Sequence, residues 1–282
     1  MSDLPGRAWL AAMPEPVARQ REIMNAMLDV IVAEPRLRWF ELGCSLGRGA
    51  GDALSDIDCG VGVADGSWPE ALDLGARLAA AGGTPVDGMR QPFPGRDGRG
   101  AWHLFTLYDD GAQLSLVLMP ASQRTGLPPG SVALYDAEGA LATPVRPGAA
   151  DADATTLREW AALGWIALGD LAKYLDRGSL WEAYQRLDAA RGELFKLWAA
   201  GSKIDFPGYG LTAILDEPDG GELPPGVERT IATLDPTDLR RAARATAALL
   251  TTAISRITPA LSTAGIDTPD PLRAWVLSRL ST

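Results

Sequence analysis

Histidine is almost missing from this chain: His103 stands alone among 282 residues. A Ser/His/Asp triad or a Cys/His pair needs a histidine in one fixed role, and His-rich zinc sites need several. Most of those chemistries are therefore excluded. Cysteine is scarce too, with only Cys44 and Cys59, so no disulfide framework is expected. No apolar run reaches the roughly 18 residues that span a bilayer. The opening stretch MSDLPGRAWLAAMPEP lacks the basic start and long apolar centre of a secretion signal. The expectation is a cytoplasmic protein without a membrane partner. Excess positive charge is also missing, since the formal net charge is −10. That argues against nonspecific binding to nucleic acid or anionic lipid.

What remains is the composition of a globular protein, 46% hydrophobic and 22% charged. Its length suits one large or two ordinary domains. The first half alternates strand and helix signals. Helical spacing runs from Pro14 to Pro35 and again over Trp68–Ala81, where Ser67 and Glu70 have capping-box spacing. Strands are expected at Leu37–Gly43, Asp56–Val63, Thr84–Arg90 and Ser131–Asp136, with a loop at Gln91–Gly100. Ala101–Tyr108 and Gln113–Met119 flank the turn DDGA and read as a hairpin. From about Asp151 the strand signals stop. Two amphipathic helices break near Asp176–Ser179, and two more follow, with Ser179, Thr237 and Thr268 as candidate caps. The expected layout is an α/β (α+β) domain over residues 1–148, with a mixed sheet flanked by helices, then a helical domain over 149–282.

One stretch carries chemistry: GCSLGRGAGDALSDIDCGVGV, from Gly43 to Val63. Side chains alternate along a strand, so Asp56 and Asp58 share a face while Ile57 points into the core. Two neighbouring carboxylates repel unless a cation lies between them or one is protonated. A hard divalent cation such as Mg²⁺ suits such ligands and normally takes phosphate oxygens as well. Just upstream, the N–H groups of a small-residue turn and the Ser45 hydroxyl are phosphate donors. A plain strand-initiating turn, with Ser55 and Asp56 capping backbone groups, would give a similar S-D-I-D segment. The Gly-Ser turn at the right distance tips the reading towards a metal–polyphosphate site.

Those residues resemble the nucleotidyltransferase superfamily typified by DNA polymerase beta and the aminoglycoside adenylyltransferases. Its small bacterial members carry a Gly-Ser turn, a spacer and Asp-h-Asp on a strand. Here CSLGRG…SDID keeps that order, with eleven positions from Ser45 to Asp56. The resemblance implies a nucleotidyltransferase-type fold and Mg²⁺ held by Asp56 and Asp58. It implies nucleotide contacts from Gly43, Cys44, Ser45 and Arg48, and from Lys173 in the helical half. The implied reaction moves a nucleoside monophosphate, AMP from ATP, onto a hydroxyl of a small-molecule acceptor and releases pyrophosphate.

Two departures from the pattern stand out. The glycine of the turn falls on Cys44, with Gly43 one place earlier. The usual third carboxylate falls on Ser115, a poor base and a weak metal ligand. Three readings follow. A carboxylate from elsewhere (Asp87, Asp109, Asp110 or Glu182) completes the site. Alternatively, two carboxylates suffice with a base on the acceptor. Or the chain is a pseudoenzyme, a nucleotide-binding or regulatory protein that transfers nothing. A toxin–antitoxin-type transferase acting on protein or RNA is a weaker option, because no basic stripe is present. Lys173 shares a helix face with Arg177; for both, as for Arg186 and Arg191, a solvated face is the plain alternative. His103 reads as a structural histidine, Cys59 as core, and Trp160, Trp165, Trp181 and Trp198 as helix packing.

Overall fold

The structure, a computed structural model, describes residues 5–93, 100–217 and 221–281. By contact density the chain divides into two compact units, Met1–Arg146 and Pro147–Thr282. The first is built on a six-stranded mixed sheet of order β3-β4-β5-β2-β1-β6. Its strands are β1 (Leu37–Leu42), β2 (Ile57–Val63), β3 (Pro85–Phe93), β4 (Ala101–Tyr108), β5 (Gln113–Pro120) and β6 (Val132–Asp136). β2 and β5 pair in parallel and every other neighbouring pair is antiparallel. The helices of this unit are α1 (Pro5–Ala11), α2 (Ala18–Ala33), the single turn α3 (Cys44–Gly47) and α4 (Ala71–Ala81).

The alternation in the sequence decides what each sheet face does. On one face Ile57, Val61, Val63, Leu114, Leu116 and Leu118 are fully buried beside Phe40 and Leu42 of β1, in one core with Ile23, Met27 and Leu78 from α2 and α4. α4 lies so close that a Cβ on its Gly75 would stand 2.6 Å from Leu118 and 2.7 Å from Leu104. The helix-weakening glycine thus marks a close approach to the sheet. The other face carries Asp58, Gly60 and Gly62 of β2, with Ser115 of β5. Here β1 lays its side chains over the glycines. A Cβ on Gly60 would meet the Glu41 carboxylate at 2.8 Å, and one on Gly62 the Trp39 indole at 2.2 Å.

The second unit is helical: α5 (Ala154–Asp176), α6 (Leu180–Gly201), the short α7 (Leu211–Leu215), α8 (Pro236–Thr263) and α9 (Asp270–Leu280). Its own core holds Trp165, Leu168, Leu187, Leu194, Leu250 and Leu261. No helix among the described residues is long and apolar enough to cross a membrane.

The expected elements form, with local differences. A 3₁₀ segment, Asp65–Glu70, contains Pro69, so α4 begins only at Ala71 and the Ser67/Glu70 capping box does not close. β3 runs on to Phe93, so 91–93 are strand; residues 94–99 of the expected loop lie outside the described residues. Ser179 precedes α6 without a side-chain cap. α8 is capped by Asp235, whose carboxylate accepts from the N–H groups of Thr237 and Asp238, which places Thr237 inside the helix. Pro269, with Thr268 before it, takes the cap position of α9. Trp165 and Trp198 are core as expected, whereas Trp181 is 76% exposed.

Candidate active site

Asp56 sits at the mouth of β2 and is exposed, and Asp58 is half-buried on the strand. Burial and then the Asp58 charge push the Asp56 carboxyl above the ordinary aspartate range. Among the described residues neither carboxylate has a hydrogen-bonding or cationic side-chain partner. The loop before them is held without their help. Gln20, 3% exposed on α2, donates to the carbonyls of Ala53 (3.2 Å) and Ser55 (3.0 Å). Asp52 accepts from the Leu54 N–H at 2.9 Å, and the Ser55 hydroxyl accepts from the Asp52 N–H at 2.9 Å. The capping work of the turn thus falls to Asp52 and Ser55, which leaves Asp56 free of it.

The small-residue turn is joined to the same strand. The Gly43 N–H donates to the Asp58 carbonyl at 2.8 Å, and α3 starts at the next residue. Its first i→i−4 bond is Gly47 N–H to Gly43 C=O at 2.9 Å, so the Ser45 and Leu46 N–H groups precede the helical ladder. Cys44 takes φ +51°, the left-handed region that glycine occupies without cost. The position where glycine was expected does demand glycine-like backbone. Gly47 allows no Cβ at all, since one would lie 2.5 Å from the Gly130 carbonyl oxygen. Arg48 caps α3, is exposed, and rests its aliphatic stem on Gly130. An apolar slot of about 250 Å³, walled by Trp9, Met13 and Leu46, abuts this turn.

No third carboxylate joins the pair: among the described residues no three His, Cys, Asp or Glu side chains cluster as a metal site. Asp87 accepts from its neighbour's N–H in the outer strand β3, and Asp110 is ion-paired to Arg19 at the β4–β5 turn. Asp109 lies in that same turn. Glu182 belongs to the second unit, on α6. A carboxylate the sequence reading passed over, Glu41, shares the Asp58 face. It is buried and engaged by the Arg124 guanidinium, with one Nε–Oε2 contact of 3.0 Å. Burial raises its carboxyl, against the pull of Arg124.

Ser115 is the direct neighbour of Asp58 in the parallel register. Its hydroxyl lies 2.9 Å from Nε2 of His103 on β4. The one histidine, expected to be structural, therefore touches Ser115, where the sequence resemblance looked for a third acid. Lys173, expected among the nucleotide contacts, belongs to the second unit. It is on α5 of the second unit, ion-paired with Asp170 and 4.9 Å from the Tyr174 ring centre. Arg186 also approaches Asp170, and Arg191 pairs with Asp188. A cavity of about 680 Å³ lies at the far end of β2, lined by Arg38, Asp65, Arg124 and Glu138. Both signs of charge meet there, and Arg38 pairs with Glu138 at 3.3 Å.

No protein family and no curated protein matches the chain. Among solved structures it is similar to an aminoglycoside 6-adenyltransferase from Bacillus subtilis, at 16% identity and a TM-score of 0.42 over 94% of this chain and 97% of that one. A likeness at that level assigns no role to any residue.

Proposed function

We propose that the first unit binds a nucleoside triphosphate with Mg²⁺ and transfers a nucleoside monophosphate, AMP from ATP, to a hydroxyl of a small-molecule acceptor. The observation that carries this reading is the unpartnered Asp56/Asp58 pair at the mouth of β2, tied through the Gly43 N–H to the small-residue turn at Ser45. A carboxylate raised by burial and by a neighbouring carboxylate's charge, as Asp56 is, fits a divalent cation, and Mg²⁺ is commonly held by one or two carboxylates plus substrate phosphates. When bound, the metal supplies charge neutralisation at the phosphates. The chain's own part is to place oxygen ligands from Asp56 and Asp58 and phosphate donors from the Ser45 turn. Arg48 at the rim of that turn adds a bidentate cation. The net charge of −10 suits a cationic, aminoglycoside-like acceptor.

A second reading is favoured by a specific observation. With no third carboxylate among the described residues, the same site would bind nucleotide without transferring it. Pyrophosphate release from MgATP separates the two. The parent chain, incubated with a panel of polycationic aminosugars and other polyols, is expected to release pyrophosphate. Asp56→Asn and Asp58→Asn are expected to lose the activity by about 10²-fold or more, the scale of losing a charged group that acts on the transition state. Tight nucleotide binding without pyrophosphate release would select the second reading.

A further inference from the structure

Leu54 is 90% exposed, the highest value of any large apolar side chain among the described residues. A lone exposed leucine is common on protein surfaces. This one differs in how its backbone is held. The buried Gln20 amide donates to the carbonyls of Ala53 at 3.2 Å and Ser55 at 3.0 Å, one on each side of Leu54, and comes within 3.4 Å of the Asp52 carbonyl. The Leu54 N–H is itself held by the Asp52 carboxylate at 2.9 Å. The Ser55 N–H closes on the Asp52 carbonyl at 3.1 Å. A backbone tied at every residue from Asp52 to Ser55 fixes the direction in which the leucine leaves it. The chain thus commits a buried glutamine to a loop that displays an apolar side chain to water. The place of that side chain is as specific as its exposure. Leu54 stands two residues before Asp56, within about 7 Å along the chain. It ends a loop that begins at Arg48, just after the Ser45 turn, and whose other side chains are those of Arg48, Ala50, Asp52 and Ala53. Leu54 is therefore the one large apolar group on this rim of the metal–phosphate site.

We propose that Leu54 is the platform for the nucleobase: its side chain lies against a face of the base while the phosphates occupy the Ser45 turn and the Asp56/Asp58 pair. This rests on the nucleotide-site reading given above. The turn and the two acids recognise only the polar end of a nucleotide. What a nucleoside adds to a triphosphate is a sugar and a flat ring with apolar faces, and Leu54 is the group on this rim that matches such a face. The fastening of the loop gives the contact its value, because a loop ordered before binding loses little freedom on binding. An aliphatic side chain covers a ring face and reaches no base edge. Leu54 accordingly separates a nucleotide from a bare polyphosphate and does not select among bases.

The test needs no knowledge of the acceptor. Two probes are titrated into the full chain by calorimetry in Mg²⁺: ATP, and inorganic triphosphate, which carries the phosphates without a nucleoside. Leu54→Ala is expected to weaken ATP binding by about fivefold to tenfold, the scale of losing cover for much of one leucine side chain, and to leave triphosphate binding at the parent's level. Leu54→Phe, which offers a larger face to the base, is expected to bind ATP at least as tightly as the parent. Substituting so exposed a side chain leaves the fold intact, which circular dichroism checks. A Leu54→Ala chain that binds ATP as the parent does, or that loses ATP and triphosphate by the same factor, overturns the proposal and leaves the nucleotide site standing. So does a Leu54→Phe chain as weak towards ATP as Leu54→Ala. A parent that binds neither probe, or triphosphate alone, overturns the proposal together with the nucleotide-site reading.

Discussion

Cys44 shows what a single residue costs this site. Its φ of +51° puts an L-residue where glycine would sit without strain, at about 1–2 kcal/mol. Cys44→Gly relieves that strain and gives back about 0.4–1 kcal/mol through the freer unfolded chain. The expected net effect is a gain of about 0.5–1 kcal/mol in urea denaturation, while Cys44→Ala, which keeps a Cβ, gains nothing. Asp56 carries the opposite kind of strain. Its carboxyl is raised by burial and by the Asp58 charge. A carboxyl raised in the folded state contributes stability below its unfolded value and loses it as pH rises through the folded one. Without a cation, Asp56→Asn should therefore be more stable than the parent at neutral pH, and the difference should vanish once pH falls below the ordinary aspartate range. Mg²⁺ should raise the melting temperature of the parent and not that of the variant. Parent and variant curves that coincide at every pH would remove the like-charge picture.

At the level of the element, β2 is the part of the chain most plainly written in its sequence. In DIDCGVGV the odd-numbered positions hold Ile57, Cys59, Val61 and Val63, all buried in one core. The even-numbered ones hold the two acids and then two glycines. The place of Asp58 on the face opposite Ile57 and Cys59 follows from period-two alternation alone. The role of the glycines does not, because it depends on which strand lies alongside and which of its residues fall opposite. Gly60 and Gly62 make room for Glu41 and Trp39 of β1. Gly62→Ala is accordingly expected to cost about 1–3 kcal/mol through overpacking against the buried Trp39 ring, read as a lowered denaturation midpoint at unchanged slope. The Ser115–His103 bond was hidden for a similar reason. The two residues lie twelve positions apart, and only the hairpin register brings them together. Gln20 gave no signal either, since a buried glutamine and a solvated one look alike in a helical pattern. The capping box at Ser67 misled because Pro69 holds that segment in a 3₁₀ turn.

On the scale of the whole molecule, each unit encloses its own apolar core, and the change of texture near residue 150 announces the second one. What each core lends to the other half is testable. Leu187 is fully buried in the helical core, and Leu187→Ala should cost about 2–5 kcal/mol. Hydrogen exchange should then accelerate in α5, α6 and α8 while β2 and β5 keep the parent's protection. Acceleration spread evenly over both would mean that the two cores unfold as one.

The central claim is that Asp56 and Asp58 hold a metal-bound nucleoside triphosphate beside the Ser45 turn. Calorimetric titration of the full chain with MgATP tests it most directly, run on the parent and on the double variant Asp56→Asn/Asp58→Asn with the fold of each checked by circular dichroism. The account predicts saturable, Mg²⁺-dependent binding by the parent and its loss in a folded double variant. A parent that binds no MgATP, or a double variant that binds it as tightly as the parent, would contradict it.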